Sequence, residues 1–368
     1  MIYNLLRGTV LHTTPNLVKS ILNNAERISP ATASQHFICV AMFGGEMLYK
    51  NVDKNPYEKI FQEREFTQYR LFYNKREFLK FVLTRKSSDK FIIHGNMDVK
   101  FHLLTNILFL LFRRDLMRRS NLICWGNNDF VRGKKLKTMI TLGLIRKWSY
   151  NLYQNVLTLS QGDREEAQKL YPRAHVIYLP YFTIRRELKI IDKNKSEKCR
   201  VMVSHSGWSE NKHATSFRLL SKYVPNIQVT CPLCYGDADY IEKVINEGKK
   251  TFGKDFYYFK DLLPAQDYFD LLQSMDAYVT AAERQTGLAA AYKAMEGGLK
   301  LYVTGNNLSS MKKDGYIVYD IIDIEHLTLD EFRNPLSMNE MKGNVEIYNK
   351  THCDGKELLE GWKRVYEE

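Results

Sequence analysis

The sequence predicts an α/β protein built from two doubly wound domains, each a parallel sheet covered by helices. Three observations predict it. The chain has 368 residues, more than a single hydrophobic core usually serves. Strand-like and helix-like segments alternate along both halves, which is typical of parallel sheets with helices on their faces. The alternation stops across 183–200, a stretch rich in charged residues that predicts a linker, and then restarts.

The first domain is predicted over residues 1–182. Short apolar runs that end near glycine or proline predict its strands, at 37–43, 90–93, 121–125, 156–160 and 175–179. Two helices are predicted between these strands, at 76–83 and 163–170.

The second domain is predicted over residues 201–345. The predicted strands are 200–203, 227–231, 256–259, 277–280 and 300–303, and the helices between them are 214–223, 238–250, 265–275 and 287–295. Strand and helix steps of such short period favour a doubly wound, nucleotide-binding fold. Ligands of these folds bind beyond the carboxyl ends of the strands, so functional residues are expected there.

The turn after the strand 200–203 predicts a phosphate-binding site. Its candidate residues are Ser206, Gly207, Asn211, Lys212 and His213. Free backbone N–H groups at a helix N-terminus attract anions, and Gly207 permits close backbone approach. Lys212 or His213 could neutralise a diphosphate. The alternative is an ordinary capped start of a helix.

A second group follows the strand 277–280 and precedes a helix of small residues. It consists of Arg284, Gln285, Thr286 and Gly287. An arginine beside a helix N-terminus can hold phosphate oxygens through two hydrogen bonds. Because both groups follow strands of one sheet, we expect them to converge on one ligand. The alternative is a loop with a structural role alone.

In the first domain, His94, Asp98 and Asp129 follow predicted strands. If the two sheets point their carboxyl ends at each other, these side chains face the second domain. Each could act as general base on an acceptor hydroxyl or stabilise positive charge on a sugar. The alternative for His94 is a structural histidine at a strand end.

The basic charge belongs to the first half. Residues 1–180 contain 28 Lys and Arg against 14 Asp and Glu, whereas residues 181–368 contain 26 against 28. Arginines 113, 114, 118 and 119 follow the most apolar run, 101–112, and further basic residues lie between 132 and 147. This pattern fits a helix lying on an anionic membrane surface, or a buried helix with a basic, solvated end. Nucleic-acid binding is the third option, but no known DNA- or RNA-binding signature accompanies the charge.

No metal site, cofactor or export signal is expected. Asp237 and Asp239 have the Asp-x-Asp spacing of some metal sites, but they open a helix, where acidic residues act as caps. Cys231 and Cys234 lack a second pair that could complete a zinc site, so reduced, cytoplasmic cysteines are predicted. Residues 1–10 do not resemble a signal peptide, and 101–112 is too short to span a bilayer.

Short matches in the same order along the chain resemble a known family. They are His94-Gly95, Trp125-Gly126 with Asp129, Pro180, Ser206-Gly207 with Asn211 and His213, Pro232 with Tyr235, Tyr240-Ile241-Glu242, Arg284-Gln285-x-Gly287 and Gly361-Trp362. The chain resembles the dTDP-N-acetylfucosamine:lipid II N-acetylfucosaminyltransferases of enterobacterial common antigen synthesis. Where that family has Trp-Gly-x-Asp, this chain has two asparagines before the aspartate, so Asn128 or Asp129 takes the acidic place.

The resemblance implies a GT-B glycosyltransferase: two Rossmann-like domains whose parallel sheets face an interdomain cleft. The second domain would bind a nucleotide-sugar, with Pro232 and Tyr235 at the nucleotide, and the first would bind the acceptor. It also implies that no metal is required and that a C-terminal helix within 346–368 packs back on the first domain.

The predicted function is transfer of a sugar from a dTDP- or UDP-sugar to a membrane-associated, lipid-linked glycan in bacterial surface polysaccharide synthesis. Backbone amides near Gly207 and Gly287, with Arg284 and Lys212, would stabilise the leaving diphosphate. The predicted location is cytoplasmic, peripheral at the inner face of the cell membrane, with no nucleic-acid partner. The alternatives are a GT-B enzyme with a soluble or protein acceptor and a non-catalytic protein that binds polyanions.

Overall fold

Two parallel sheets organise the residues that the computed structural model describes, which are 1–7, 13–42, 56–95, 99–125, 136–190 and 197–368. The chain divides into two units around them. The first unit is Met1–Thr183 together with Gly355–Glu368, and the second is Ile184–Asp354.

The sheet of the first unit has the order β3-β2-β1-β4-β5-β6-β7, with every pairing parallel. Its strands are β1 (Ile2–Arg7), β2 (His36–Ala41), β3 (Tyr69–Phe72), β4 (Lys90–His94), β5 (Asn121–Cys124), β6 (Asn155–Thr158) and β7 (Val176–Tyr178). The described side chains of the central strands β1 and β4 are buried, because helices cover both faces of the sheet. The strand order reverses between β1 and β4, which makes this the switch point of the sheet.

The helices of the first unit follow its strands and pack on the sheet. They are α1 (Thr13–Ile28), α2 (Pro30–Ala33), α3 (Pro56–Glu63), α4 (Lys75–Leu83), α5 (Val99–Phe112), α6 (Arg114–Met117), α7 (Leu136–Tyr150), α8 (Gln161–Leu170) and the C-terminal α16 (Lys356–Glu367). The indole of Trp362 in α16 donates a hydrogen bond to the carbonyl of Pro180 at 2.8 Å. Both residues belong to the first unit, so the C-terminal helix completes that unit's core.

The sheet of the second unit has the order β10-β9-β8-β11-β12-β13, again wholly parallel. Its strands are β8 (Cys199–Val203), β9 (Ile227–Pro232), β10 (Phe256–Phe259), β11 (Ala277–Val279), β12 (Lys300–Val303) and β13 (Tyr319–Asp320). Its α-helices are α9 (His213–Leu220), α10 (Ala238–Phe252), α11 (Ala265–Gln273), α12 (Leu288–Glu296), α13 (Gly305–Asp314), α14 (Leu329–Arg333) and α15 (Met338–Asn349). The switch point lies between β8 and β11.

Every strand predicted from the sequence is present, with ends that differ by at most two residues over the described chain. The boundaries between the two units differ more from their predicted positions. Residues 184–190, predicted as linker, belong to the second unit, where Arg186 and Asn349 exchange two hydrogen bonds of 2.8 Å. The chain returns to the first unit at Gly355 rather than at 346. Across the described residues, no helix is both long and apolar enough to cross a membrane.

Candidate functional site

The switch point of the second sheet brings together the two groups of residues predicted to bind a ligand. Ser204 and Thr280 follow the adjacent strands β8 and β11, and their hydroxyls are hydrogen-bonded at 3.2 Å. Beyond them, Nε2 of His205 lies 3.3 Å from the hydroxyl of Ser206 and 3.3 Å from that of Thr286. The two loops therefore meet at His205, and their binding of a single ligand stays a prediction.

Gly287 is required by the way these loops pack. Its φ is +68°, in the left-handed region that glycine adopts without steric cost. A Cβ atom at this position would lie 2.5 Å from Nδ1 of His205. Burial, with the nearby charge of Arg284, lowers the pKa of His205 to about 4, so the ring is neutral at pH 7. The uncharged side chain of His205 therefore packs between the two loops and contacts both of them.

Helix α12 begins directly after Gly287 and presents its N-terminus beside these loops. No side chain caps it, and its first backbone hydrogen bond runs from the N–H of Ala291 to the carbonyl of Gly287. The preceding Thr286 is fixed by Asn307, which accepts from its N–H at 3.4 Å and donates to its carbonyl at 2.9 Å. An uncapped helix N-terminus on a fixed loop is suited to bind an anion.

Two cations lie where the loops meet, and each is paired with a carboxylate of the other loop. Lys212 contacts Glu283 at 2.5 Å, and Arg284 contacts Glu210 at 3.1 Å. Both pairs are partly or largely exposed to solvent. Exposed ion pairs contribute little stability, so a phosphate group can replace the carboxylates at small cost.

The turn at Gly207 binds protein rather than offering free donors. The N–H of Gly207 donates to the carbonyl of Tyr235 at 2.8 Å. Nδ2 of Asn211 donates to the carbonyl of Ser206 at 2.7 Å and to its hydroxyl at 2.9 Å. The amide of Gly207 itself therefore joins the loops after β8 and β9, and the binding of a diphosphate by other amides near Gly207 stays a prediction.

His213 is also unavailable as a cation. It is fully buried at the start of α9, and its N–H and Nδ1 lie 3.1 and 3.3 Å from the hydroxyl of Tyr240. Burial, and to a smaller extent His205, lowers the pKa of His213 to about 4. Of the two residues that could neutralise a diphosphate, Lys212 or His213, the structure therefore favours Lys212, because the buried His213 is uncharged at pH 7.

The loop after β9 forms the border of this site. Pro232 is buried at the end of the strand, whereas Tyr235 is 40% exposed, with its ring centre 6.5 Å from that of His205. Burial raises the pKa of Tyr235, and a hydrogen bond with Ser206 offsets part of this rise. Asp237 accepts a hydrogen bond from the N–H of Tyr240 at 2.8 Å, so its predicted role as a helix cap is confirmed.

In the first unit, His94 ends β4 at the switch point of the first sheet. It is buried, and its Nδ1 lies 2.6 Å from the hydroxyl of Tyr181, which also accepts from the indole of Trp125 at 3.0 Å. Nε2 has no hydrogen-bond partner among the described residues. Burial lowers the pKa of His94 to about 3. Asp98 and Asp129 lie outside the described residues.

Sequence reasoning missed His205, Glu210 and Asn307. His205 lies inside the predicted turn, but its contact with Thr286, which is 81 residues away in the sequence, does not show in the sequence pattern. Asn307 follows β12, so the rule that ligands bind at the carboxyl ends of strands could have found it. Glu210 was not expected, because an acidic residue beside a predicted diphosphate site has no obvious role.

Residues 56–312 match the model of the 4-alpha-L-fucosyltransferase family, glycosyl transferase group 56. The match covers more than half of the chain. The chain belongs to this family. It is a glycosyltransferase, as predicted.

Solved structures with the same fold support the GT-B prediction. The lipopolysaccharide outer core galactosyltransferase WaaB is 11% identical, with a TM-score of 0.62 and 99% of each chain covered. Anabaena HepE, solved with UDP and glucose, is 10% identical with a TM-score of 0.64, covering 99% of this chain and 98% of HepE. The N-terminal domain of Candida albicans trehalose-6-phosphate phosphatase is 10% identical with a TM-score of 0.65, covering 100% and 97%. The predicted GT-B fold with two Rossmann-like domains is confirmed.

Proposed function

We propose that this glycosyltransferase transfers a sugar from a dTDP- or UDP-sugar, bound by the second unit, to a lipid-linked glycan bound by the first. The observation that carries the donor half is the uncapped N-terminus of α12, with Arg284 and Lys212 beside it at the switch point. Support also comes from HepE, which is solved with UDP and glucose on a similar fold. The acceptor half rests on the resemblance to lipid II N-acetylfucosaminyltransferases.

In the proposed reaction, the bond between the anomeric carbon and the diphosphate oxygen breaks, and the acceptor oxygen forms the new bond. Negative charge grows on the leaving diphosphate. The first amides of α12, Arg284 and Lys212 stabilise that charge, while Tyr235 borders the nucleotide. These groups supply positive charge themselves, so we propose that the enzyme is active without a divalent metal. Turnover should therefore persist in EDTA.

The acceptor must also lose its proton. Burial lowers the pKa of His94, so the imidazolium that a general base becomes is unfavourable there. We therefore propose that His94 positions the acceptor and does not take its proton. Asp98 or Asp129 takes the proton if the anomeric configuration inverts. The donor phosphate takes it if the configuration is retained. The anomeric configuration of the product, read by NMR, distinguishes the two. In the inverting case, either Asp98→Asn or Asp129→Asn abolishes transfer while donor binding persists.

The donor proposal is tested by thermal shift with UDP, dTDP, GDP and ADP. UDP or dTDP should raise the melting temperature, since a ligand that binds only the folded state stabilises it. Arg284→Ala should abolish the shift and the slow hydrolysis of the donor. Arg218→Ala is the matched control, because this arginine also pairs with a glutamate but lies on α9 with its ion pair exposed. A protein whose melting temperature responds to no nucleoside diphosphate contradicts the donor assignment.

The acceptor proposal is tested separately, with the donor that gives the largest shift. A polyprenyl-diphosphate-linked disaccharide should accept the sugar, and the same disaccharide without lipid should be a poor substrate. Equal rates on both would favour a soluble acceptor instead. Nucleotide binding without any transfer or hydrolysis would favour a non-catalytic binding protein.

A further inference from the structure

An apolar surface on the first unit is exposed to solvent and has no role in the donor site. Leu111 and Phe112 at the end of α5 are 66% and 68% exposed, and Trp148 on α7 is 62% exposed. Leu104 and Leu144 on the same two helices are also exposed. Large apolar side chains grouped on one surface mark a site that contacts a protein or a membrane.

A groove of about 610 Å³ runs between these helices. The apolar residues that line it are Ile107, Leu110, Leu111, Ile145, Trp148 and Leu152. Ile107, Leu111 and Leu104 lie three or four residues apart, so they form one stripe along α5. Leu144 and Trp148 form the corresponding stripe on α7. The groove is open at the surface.

Positive charge lies along part of the groove. Arg114 and Arg173 line it and are exposed, and Lys147 is exposed on α7 beside Trp148. In the sequence, without regard to position in the fold, residues 99–152 contain eleven Lys and Arg against two acidic residues. One of those acidic residues, Asp115, is bound by Arg113 at 2.9 Å and is therefore already neutralised. Arg146, counted with the basic residues from sequence, is buried and adds nothing to this surface.

We infer that this surface, Leu104, Leu111, Phe112, Leu144 and Trp148 with Arg114 and Arg173, inserts into an anionic phospholipid bilayer. The apolar side chains enter the acyl region while the arginines contact lipid phosphates, the arrangement of helices that lie in a membrane surface. Trp148 suits this position, because an indole has an apolar body and one polar edge. The inference rests on the proposed lipid-linked acceptor, which it would place within reach of the enzyme.

Charge favours a bilayer over a second copy of the chain. In a symmetric dimer the same surface meets itself, so Arg114 and Arg173 would face the arginines of the other copy. The described residues that line the groove include no carboxylate that could compensate them. A bilayer that contains phosphatidylglycerol supplies the missing anions.

The test is flotation with vesicles of phosphatidylglycerol and phosphatidylcholine in equal amounts, compared with phosphatidylcholine alone. The wild type should float with the anionic vesicles at low salt and detach as salt rises, because screening weakens the arginine contacts. The double variant Leu111→Gln/Phe112→Gln should bind at least about tenfold more weakly, since it removes two apolar groups from the acyl region. Arg114→Glu/Arg173→Glu should lose the preference for anionic vesicles. Tyr73→Gln, which changes an aromatic residue 63% exposed beside β3, is the matched control and should float like the wild type.

Three results would overturn the inference: a wild type that stays soluble, variants that float as well as the wild type, or a dimer that Leu111→Gln/Phe112→Gln converts to monomer. Circular dichroism of each variant establishes that it is folded. The thermal shift with UDP or dTDP is measured without lipid, so it reports on the donor site separately. A protein that binds nucleotide but no vesicles refutes only the membrane surface, and one that floats but binds no nucleotide refutes only the donor proposal.

Discussion

Replacement of Gly287 by alanine tests the packing of the donor site most directly. The new Cβ raises the free energy of the folded state in two separate ways. The backbone is left-handed, with φ at +68°, which costs a residue other than glycine about 1–2 kcal/mol. The Cβ also lies 2.5 Å from Nδ1 of His205, and relieving such overpacking costs about 1–3 kcal/mol. Together these give about 2–5 kcal/mol.

Gly315 provides the matched control. Its φ is +95°, but a Cβ there would meet only Cδ1 of Ile347 at 3.5 Å, an ordinary contact. Gly315→Ala should therefore show the backbone cost alone. For a unit of this size, 1 kcal/mol shifts the melting temperature by about 2–4 °C. We expect Gly287→Ala to lower the melting temperature about twice as far as Gly315→Ala.

The assay is differential scanning calorimetry, with the dissociation constant of UDP or dTDP measured alongside. Gly287→Ala should weaken nucleotide binding at least about tenfold, because movement of His205 displaces the loop that begins α12. Gly315→Ala should leave it unchanged. In a His205→Ala background the same glycine change should cost only its backbone part, as a double-mutant cycle measures. Equal melting temperatures for the two glycine variants, or unchanged nucleotide binding in Gly287→Ala, would refute this account.

Three further predictions concern single residues. Glu210→Gln removes a carboxylate from Arg284, so the dissociation constant of UDP or dTDP should fall severalfold by titration calorimetry; a rise would show that Glu210 positions the arginine. Burial lowers the pKa of His213 to about 4. Below pH 6.5 the unfolded chain therefore binds a proton at this residue that the native chain does not bind. The free energy of unfolding should thus fall by about 1 kcal/mol from this residue between pH 7 and 5.5, and His213→Gln should flatten the dependence of melting temperature on pH. Trp362→Phe breaks a buried hydrogen bond of 2.8 Å and should cost about 1–3 kcal/mol of unfolding free energy, whereas Trp148→Phe, at an exposed position, should cost little.

Strand positions were predictable because most strands of the second sheet are buried, and its edge strand β10 is wholly aromatic. Its strands read as short apolar runs between polar turns, and 256–259 and 300–303 match the structure at both ends. The central strand β1 was missed, although its side chains from Ile2 to Leu6 are buried. It begins at the second residue, so no preceding turn marks its start, and Asn4 interrupts the apolar pattern.

The site was predictable in place but not in detail. The rule for carboxyl ends of strands selects Ser206 and Gly287 without knowledge of contacts. It cannot say which amide is free, because that depends on the partner of each N–H across the fold. The amide of Gly207 is taken by the carbonyl of Tyr235, from the loop after a different strand. The burial of His213 likewise depends on Tyr240, which lies 27 residues further along the chain.

The ion pairs between the loops would keep the proposed diphosphate site stable when no diphosphate is bound. Lys212, Arg284, Glu210 and Glu283 carry two positive and two negative charges, so the loops meet without net repulsion. A bound diphosphate brings negative charge that must displace the carboxylates from the two cations. The exchange costs little because both pairs are partly solvated. Once bond cleavage leaves additional charge on the diphosphate, the same cations gain more from it than from the glutamates. In the proposed reaction Lys212 and Arg284 would therefore favour the leaving diphosphate over the bound donor, which is the direction that accelerates transfer.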